Sequence, residues 1–461
     1  MIFKTIDKKA VFFINKNNLI NLFIYTFLIF TIYNLVNYDL DDVLGKEKEQ
    51  PLVYDKNIKI TLFSEDLNFP TGIDFLGKND MLVIEKNTGQ VKRILNNEIL
   101  IDPVLDLNIA SESERGLLGL AISNEKDLTN FNNEKIQGNN LNNEIKVFLF
   151  YTETKNTDNG DILGNRLYTY DFVDGKLVNP KLLLDLPFLP GPSHNGGVLD
   201  LGPDNNLYLV VGDLNREANP EYMTVAQNIE DSQMPDGRGG VLRMTVEGNP
   251  VQEGNGFSLK NSDISNFYYG YGIRNSFGIS FDPVTGILWE TENGSNYGDE
   301  INVILSGFNG GWRQVLGLSS EYENFKNKIF DKNKLTLLNK KGTYYDPVFT
   351  WADTIAPTAI TFINSKNFDE EYQNDLLVGS VKQGRIFHFN LNETRTGLDL
   401  PSEQLVDKMA NIDEELDSVT FGRNFGIITD IEINPYDGNI YVVDGQSKNG
   451  KIYQLSKNLE Q

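Results

Sequence analysis

The 461-residue chain contains no cysteine. That excludes disulfides, thiolate nucleophiles, iron–sulfur clusters, Cys-based zinc sites and a lipidated cysteine. Histidine is almost as scarce: His194 and His388 are the only two, too few for a multi-histidine metal centre. Any imidazole chemistry therefore falls to one of them. Positive charge is also in deficit, with 41 Lys plus Arg against 65 Asp plus Glu and a formal charge of −24. Such a polyanion repels phosphate backbones, and no basic stripe offsets it, so nucleic acid is excluded as a partner. What is plentiful is apolar material, 40% of the residues, in a length that admits one large repeat domain or two to three ordinary ones.

The one long apolar run lies at the N-terminus. Lys4, Lys8, Lys9 and Lys16 precede a stretch from Leu19 to Val36, and Asp39, Asp41 and Asp42 follow it. At 1.5 Å rise per residue the stretch nearly crosses a hydrocarbon core of about 30 Å. The charge order predicts an inside start and an outside remainder. No small-x-small cleavage site follows Val36, which favours an uncleaved anchor over a removed signal. The expected layout is a membrane anchor at 1–38, a polar tether at 39–57 and an outer domain at 58–461, anchored to a membrane or, in the alternative, secreted. Residues 1–50 carry six basic and six acidic side chains, so the −24 belongs to the outer domain.

Beyond the tether, short runs of period two end in Gly, Asn, Asp or Pro, the pattern of consecutive antiparallel strands. One phrase keeps returning. Gly72-Ile73-Asp74-Phe75, Gly197-Val198-Leu199-Asp200-Leu201, Gly278-Ile279-Ser280-Phe281 and Asp430-Ile431-Glu432-Ile433 each lead through a tight turn into a second apolar strand. Gly116-Leu117-Leu118-Gly119-Leu120 and Ala359-Ile360-Thr361-Phe362 are weaker copies. The starts at 72, 116, 197, 278, 359 and 430 are spaced by 44, 81, 81, 81 and 71 residues. A four-stranded propeller blade needs about 40–50 residues, which leaves room for insertions such as Asn124 to Asn143 and Ser319 to Lys341. The expected fold is an all-β, six-bladed β-propeller preceded by an N-terminal transmembrane helix; a β-sandwich pair does not explain the repeated phrase.

Three places carry candidate chemistry. His194 sits in Gly191-Pro192-Ser193-His194-Asn195-Gly196-Gly197, directly before an inner strand, where an imidazole of ordinary pKa about 6.5 suits a general base. A solvated turn histidine is the plainer alternative, and His388, in Ile386-Phe387-His388-Phe389, reads as structural. Arg274 and Asn275 precede the next inner strand, where a guanidinium can stabilise negative charge developing on an oxygen, or simply pair with a surface acid. Glu292 to Glu300 offers carboxylates and carbonyls that suit Ca²⁺, although acidic loops are usually only solvated.

In order and spacing these segments resemble the soluble, pyrroloquinoline quinone-dependent glucose/sorbosone (aldose sugar) dehydrogenase family, from about Ile58 to Leu455. The most specific pieces are Glu114-Arg115-Gly116-Leu117-Leu118-Gly119, His194-Asn195-Gly196-Gly197, Arg274-Asn275, and Glu292 to Glu300 followed by Gly310-Gly311-Trp312. The resemblance implies a six-bladed propeller and oxidation of an aldose at its anomeric carbon to a lactone, by hydride transfer to the quinone, with electrons passed to an external acceptor. It implies His194 as base and Arg274 over the quinone oxygen. Glu114, Asn275, Trp351 and Lys382 match cofactor-contacting positions, and the carbonyls of Gly294 and Ser295 match those that hold Ca²⁺. Three positions depart from the family pattern: Glu114 stands where Gln is found, Ser295 where Pro is usual, and Ser193 replaces an Asp that precedes the histidine. Phe425-Gly426-Ile427-Ile428-Thr429 also lacks the arginines that pair with the quinone's carboxylates. Because propellers host many functions, a non-catalytic, Ca²⁺-stabilised ring binding a glycan or protein is the alternative, and a hydrolase using rim carboxylates a third.

Overall fold

The computed structural model describes residues 49–123, 145–155, 161–251, 253, 254, 257, 263–326 and 329–458. The expected anchor, most of the tether and the 124–143 insertion lie outside them. Among the described residues no helix is long and apolar enough to cross a membrane.

Among the described residues the short apolar runs gather into six sheets. Their innermost strands, numbered β1 to β6 in chain order, are Pro70–Gly77, Leu117–Ser123, Gly196–Leu201, Ser276–Phe281, Pro357–Phe362 and Ile428–Ile433. Each of the six repeated phrases forms one of them. Every innermost strand packs on the next, and β6 returns to β1, so the sheets close into a ring. The chain is an all-β propeller. The ends of the ring meet within one sheet: Ile58–Leu67 pairs antiparallel with Gly450–Lys457, matching Ile58 to Lys457 and Leu67 to Gly450. Pairing first strand to last removes the open edge that a linear array would expose.

Strands next to the innermost ones are apolar on both faces because they separate two seams. In Asn206–Val211, Leu207 and Leu209 enter the seam toward the preceding sheet, while Tyr208 and Val210 enter the seam toward the following one. Each seam has its own buried cluster. At about 1.5–3 kcal/mol for each buried large aliphatic side chain, these clusters hold the ring together.

The N-terminal boundary needs correction. Leu52 and Val53, within the stretch read as tether, pair with Arg423 and Gly422. The Tyr54 N–H also donates to the Phe421 carbonyl at 3.1 Å. The reason is apolar: Val53 is buried in the cluster between the fifth and sixth sheets.

One irregularity recurs in all six innermost hairpins. Register shifts occur near the start of each inner strand, at Pro70/Gly72, Leu117/Gly119, Gly196/Leu199, Ser276/Gly278, Pro357/Ile360 and Ile428/Asp430. A bulge bends its strand and re-aims the adjoining residues. Here it turns the segments before the inner strands, where His194, Arg274 and Asn275 lie, over one mouth of the central channel.

Candidate active site at the channel mouth

His194 is held by three features of its own hairpin. Its φ is +63°, the left-handed region in which histidine is tolerated better than most residues. The backbone beside it must come close. Gly197 has φ +110°, and a Cβ there would stand 2.8 Å from Leu118 Cβ, while a Cβ on Gly212 would strike the His194 carbonyl. Glu114, from the segment before β2, accepts the His194 N–H at 2.6 Å and the Asn275 side-chain N–H at 3.0 Å, tying three neighbouring sheets together at the mouth.

The imidazole is oriented by a carboxylate that the sequence reading missed. His194 Nδ1 lies 2.6 Å from Asp213 Oδ1, with the two side chains 3% and 0% exposed. Asp213 is fully engaged. Oδ1 also accepts the Asn215 N–H at 2.9 Å, and Oδ2 accepts from Trp312 Nε1 at 2.7 Å and Arg313 Nη2 at 2.6 Å. Burial pushes the Asp213 carboxyl up, but bonds and charge from His194, Arg313 and Trp312 outweigh it and hold the group at about 2. An ionised Asp213 fixes the proton on Nδ1 and leaves Nε2 as the acceptor. No described residue bonds to Nε2. The replacement of Asp by Ser193 therefore does not leave the histidine without an orienting carboxylate: Asp213 supplies it from the end of the adjoining strand.

A signal for Asp213 was present in the sequence. Second strands of several hairpins end in an acid, as at Glu85, Glu292 and Asp444, and Asp213 stands two residues past the end of its own. Three of these accept a backbone N–H from the segment before the neighbouring inner strand: Glu85 from Asn68 at 2.8 Å, Glu292 from Arg274 at 2.7 Å and Asp444 from Ile427 at 2.8 Å. In the third sheet Glu114 takes the corresponding N–H of His194, which leaves Asp213 to hold the imidazole.

Arg274 is 7% exposed and donates from Nη1 to the Asn293 carbonyl at 2.6 Å. Burial lowers its pKa, opposed by the charges of Asp213, Glu292, Glu114 and Asp299. Its Nε and the Asn275 side-chain oxygen are buried without partners. Trp312 lies beside it, with the Arg274 and Arg313 guanidinium carbons 5.4 and 5.0 Å from its ring centre. Behind the arginine, burial together with Glu300 and Glu290 raises the Glu292 carboxyl well above its ordinary value.

The Asn293–Gly298 loop is pinned from within. Asp299 accepts from the N–H groups of Gly294, Ile355 and Ala356 at 2.7, 2.7 and 2.8 Å. The carbonyls of Gly294 and Ser295 accept no hydrogen bond among the described residues, so two hard oxygen donors remain available on a fixed loop. Lys382 bonds through Nζ to the Thr354 carbonyl at 2.9 Å and acts on the Asp299 charge. That puts it on the same rim.

Trp351 does not reach this mouth. It is fully buried with Phe349, Phe387 and Phe389, because residues two apart on a strand share a face and Phe349 and Trp351 both enter the seam between sheets. Trp312 is the aromatic side chain that borders the His194–Asp213 pair. His388 pairs through Nε2 with Asp375 Oδ2 at 2.9 Å on its own sheet, a structural contact.

Through Asp213, Trp312 and Asn293 these contacts link His194 to the buried Arg274 and the loop that carries the free carbonyls of Gly294 and Ser295. The chain belongs to the glucose/sorbosone dehydrogenase family, whose sequence profile matches residues 67–454. It is 25% identical over 399 residues to quinoprotein glucose dehydrogenase B of Acinetobacter calcoaceticus, covering 74% of this chain and 78% of that one. The crystal structure of the soluble aldose sugar dehydrogenase from Escherichia coli in the apo form superposes with TM-score 0.63 at 21% identity, over 87% of this chain and all of that one. The pyrroloquinoline quinone-bound aldose sugar dehydrogenase from Streptomyces coelicolor gives TM-score 0.56 at 18% identity, over 88% and 100%.

Proposed function

We propose that the chain oxidises the anomeric carbon of an aldose to a lactone, with pyrroloquinoline quinone held by Ca²⁺ at the His194 mouth. The observation that carries this reading is the His194–Asp213 pair, with its accepting Nε2, on the rim that also holds Arg274 and the free carbonyls of Gly294 and Ser295. The unpartnered Arg274 Nε and Asn275 side-chain oxygen fit a polar ligand at the same place. When bound, the quinone supplies the two-electron acceptor. His194 Nε2 takes the proton of the anomeric hydroxyl, and Asp213 stabilises the resulting imidazolium through Nδ1. Arg274, buried with a free Nε, would hold the quinone by a charge-assisted bond and favour negative charge beside it. Glu114, Asn275 and Lys382 position the cofactor, while the Gly294 and Ser295 carbonyls take the metal. With no arginine in Phe425–Thr429, the cofactor's carboxylates lose charge-assisted bonds of about 1.5–3 kcal/mol each, and its retention depends on Ca²⁺ and the remaining cations.

Counting each sheet as one blade, the ring is six-bladed. We place it outside the cytoplasm behind the Leu19–Val36 segment as anchor, delivering electrons to an external acceptor.

The full chain, supplied with Ca²⁺ and pyrroloquinoline quinone, is expected to bind the quinone and reduce a dye on addition of an aldose, and to lose both properties with a chelator. No quinone binding in the presence of Ca²⁺ overturns the reading in favour of a binding propeller.

A further inference from the structure

We propose that Arg313 is a positioning residue that sets the basicity of His194 by neutralising Asp213. The inference rests on the reading of His194 as base, but its test does not require turnover. The geometry is a relay of three groups. Arg313 Nη2 donates to Asp213 Oδ2 at 2.6 Å, and the other carboxylate oxygen holds His194 Nδ1 at 2.6 Å. The ion pair is dry, with the Arg313 and Asp213 side chains 11% and 0% exposed. The guanidinium is fixed besides by the Asn215 carbonyl and the Trp312 ring, and the residue's backbone N–H donates to the Gln227 carbonyl.

A carboxylate alone beside an imidazole favours the imidazolium and holds the ring protonated, which spoils it as a base. An arginine on the far oxygen removes much of that negative potential while leaving the hydrogen bond that orients the ring. Low exposure makes the effect large, since water screens such a charge poorly. The other charged groups facing the pair are Glu114 at the His194 N–H, Arg115 beside Gly191 in the loop preceding it, and Arg274, whose carbonyl accepts the Asp213 N–H. Arg216 and Glu217, two turns on, are exposed. Among the described residues only Arg313 bonds to the carboxylate with a full charge, while Arg274 acts on it at longer range. The signal is local: it stands directly after Trp312, whose indole shares the same oxygen.

The test uses the two-histidine composition. In the cofactor-free full chain labelled with ¹⁵N-histidine, His388→Gln leaves one imidazole to follow by NMR. Arg313→Gln is expected to move the His194 titration midpoint up by about one pH unit, a tenfold change in proton affinity. Arg313→Met, which keeps an apolar stem against Trp312, serves if the Gln variant does not fold. Arg313→Lys restores the charge and is expected to bring the midpoint most of the way back. In the loaded enzyme the acid limb of kcat/KM moves with the midpoint. A midpoint within about 0.2 unit of the parent in both charge-free variants overturns the inference, even if kcat falls, because a purely structural arginine changes rate without changing titration. A shifted midpoint in a chain that oxidises no sugar supports the inference and overturns the dehydrogenase reading instead.

Discussion

The two ends of the central channel are built from the same repeated phrase and carry opposite electrostatics. At the His194 mouth every acid near the base has an assigned cation or N–H: Asp213 with Arg313, Trp312 and His194, Asp299 with three backbone N–H groups, Glu114 with His194 and Asn275. Toward the other end, a cavity of about 350 Å³ is bordered by Asp74, Asp200, Asp430 and Glu432, and no Lys, Arg or His lines it. These acids work as staples between sheets. Asp430 accepts the Ile73 N–H at 2.8 Å, and Asp74 accepts the Ile122 N–H at 2.6 Å, each across a seam. Burial pushes the Asp430 carboxyl up to about 7, and burial together with Asp430, Asp74 and Asp200 raises Glu432 further. Acids at both ends accept backbone N–H groups; Asp213 differs in facing a guanidinium and an imidazole as well.

The sharpest way to break that contrast is to remove the charge of Asp213. Asp213→Asn keeps the shape but no longer fixes the tautomer or stabilises the imidazolium, and kcat is expected to fall by about 10²–10⁴-fold in steady-state assays. Stability contributed by Asp213 is present above its ordinary range near 4 and is lost as pH falls toward about 2, because its folded pKa is depressed. Asp430 behaves with the opposite sign to Asp213. A folded pKa raised to about 7 means the folded chain holds more protons than the unfolded one, so the Asp430 contribution is full below about pH 4 and is lost as pH rises to 7. Asp430→Asn retains an acceptor for the Ile73 N–H and removes the repulsion. It is expected to stabilise the chain by about 2 kcal/mol at pH 8 and by little at pH 4, in paired denaturant titrations, with unchanged kcat. The smallest effect belongs to Trp351→Phe. Since that ring is fully buried in a seam with Phe349, Phe387 and Phe389, kcat and KM should stay within about twofold while stability drops by about 1–3 kcal/mol.

The propeller was largely legible in the sequence because a recurring phrase, through its alternation, forces each inner strand. Leu52–Val53 escaped because two residues carry no periodicity; only the cluster beneath Val53 makes them a strand. Of the site, His194, Arg274 and Asn275 could be placed near one another from their position before inner strands, and Glu114 only from the family resemblance. Asp213, Trp312 and Arg313 could not, since they meet only when the segment after the third sheet's second strand packs on a loop about 100 residues away. Trp351 was misplaced for a related reason: an aromatic near a motif says nothing of which face of its strand it occupies until the seam is known.

The central claim is that chemistry occurs at the His194 mouth and uses its imidazole as base. Single-turnover mixing of an aldose with the full chain loaded with Ca²⁺ and quinone tests it directly, comparing the parent with His194→Ala. The account predicts rapid loss of the oxidised-quinone absorbance in the parent and a rate about 10²–10⁴-fold lower in the variant, with equal quinone bound. Equal rates in the two proteins would contradict it.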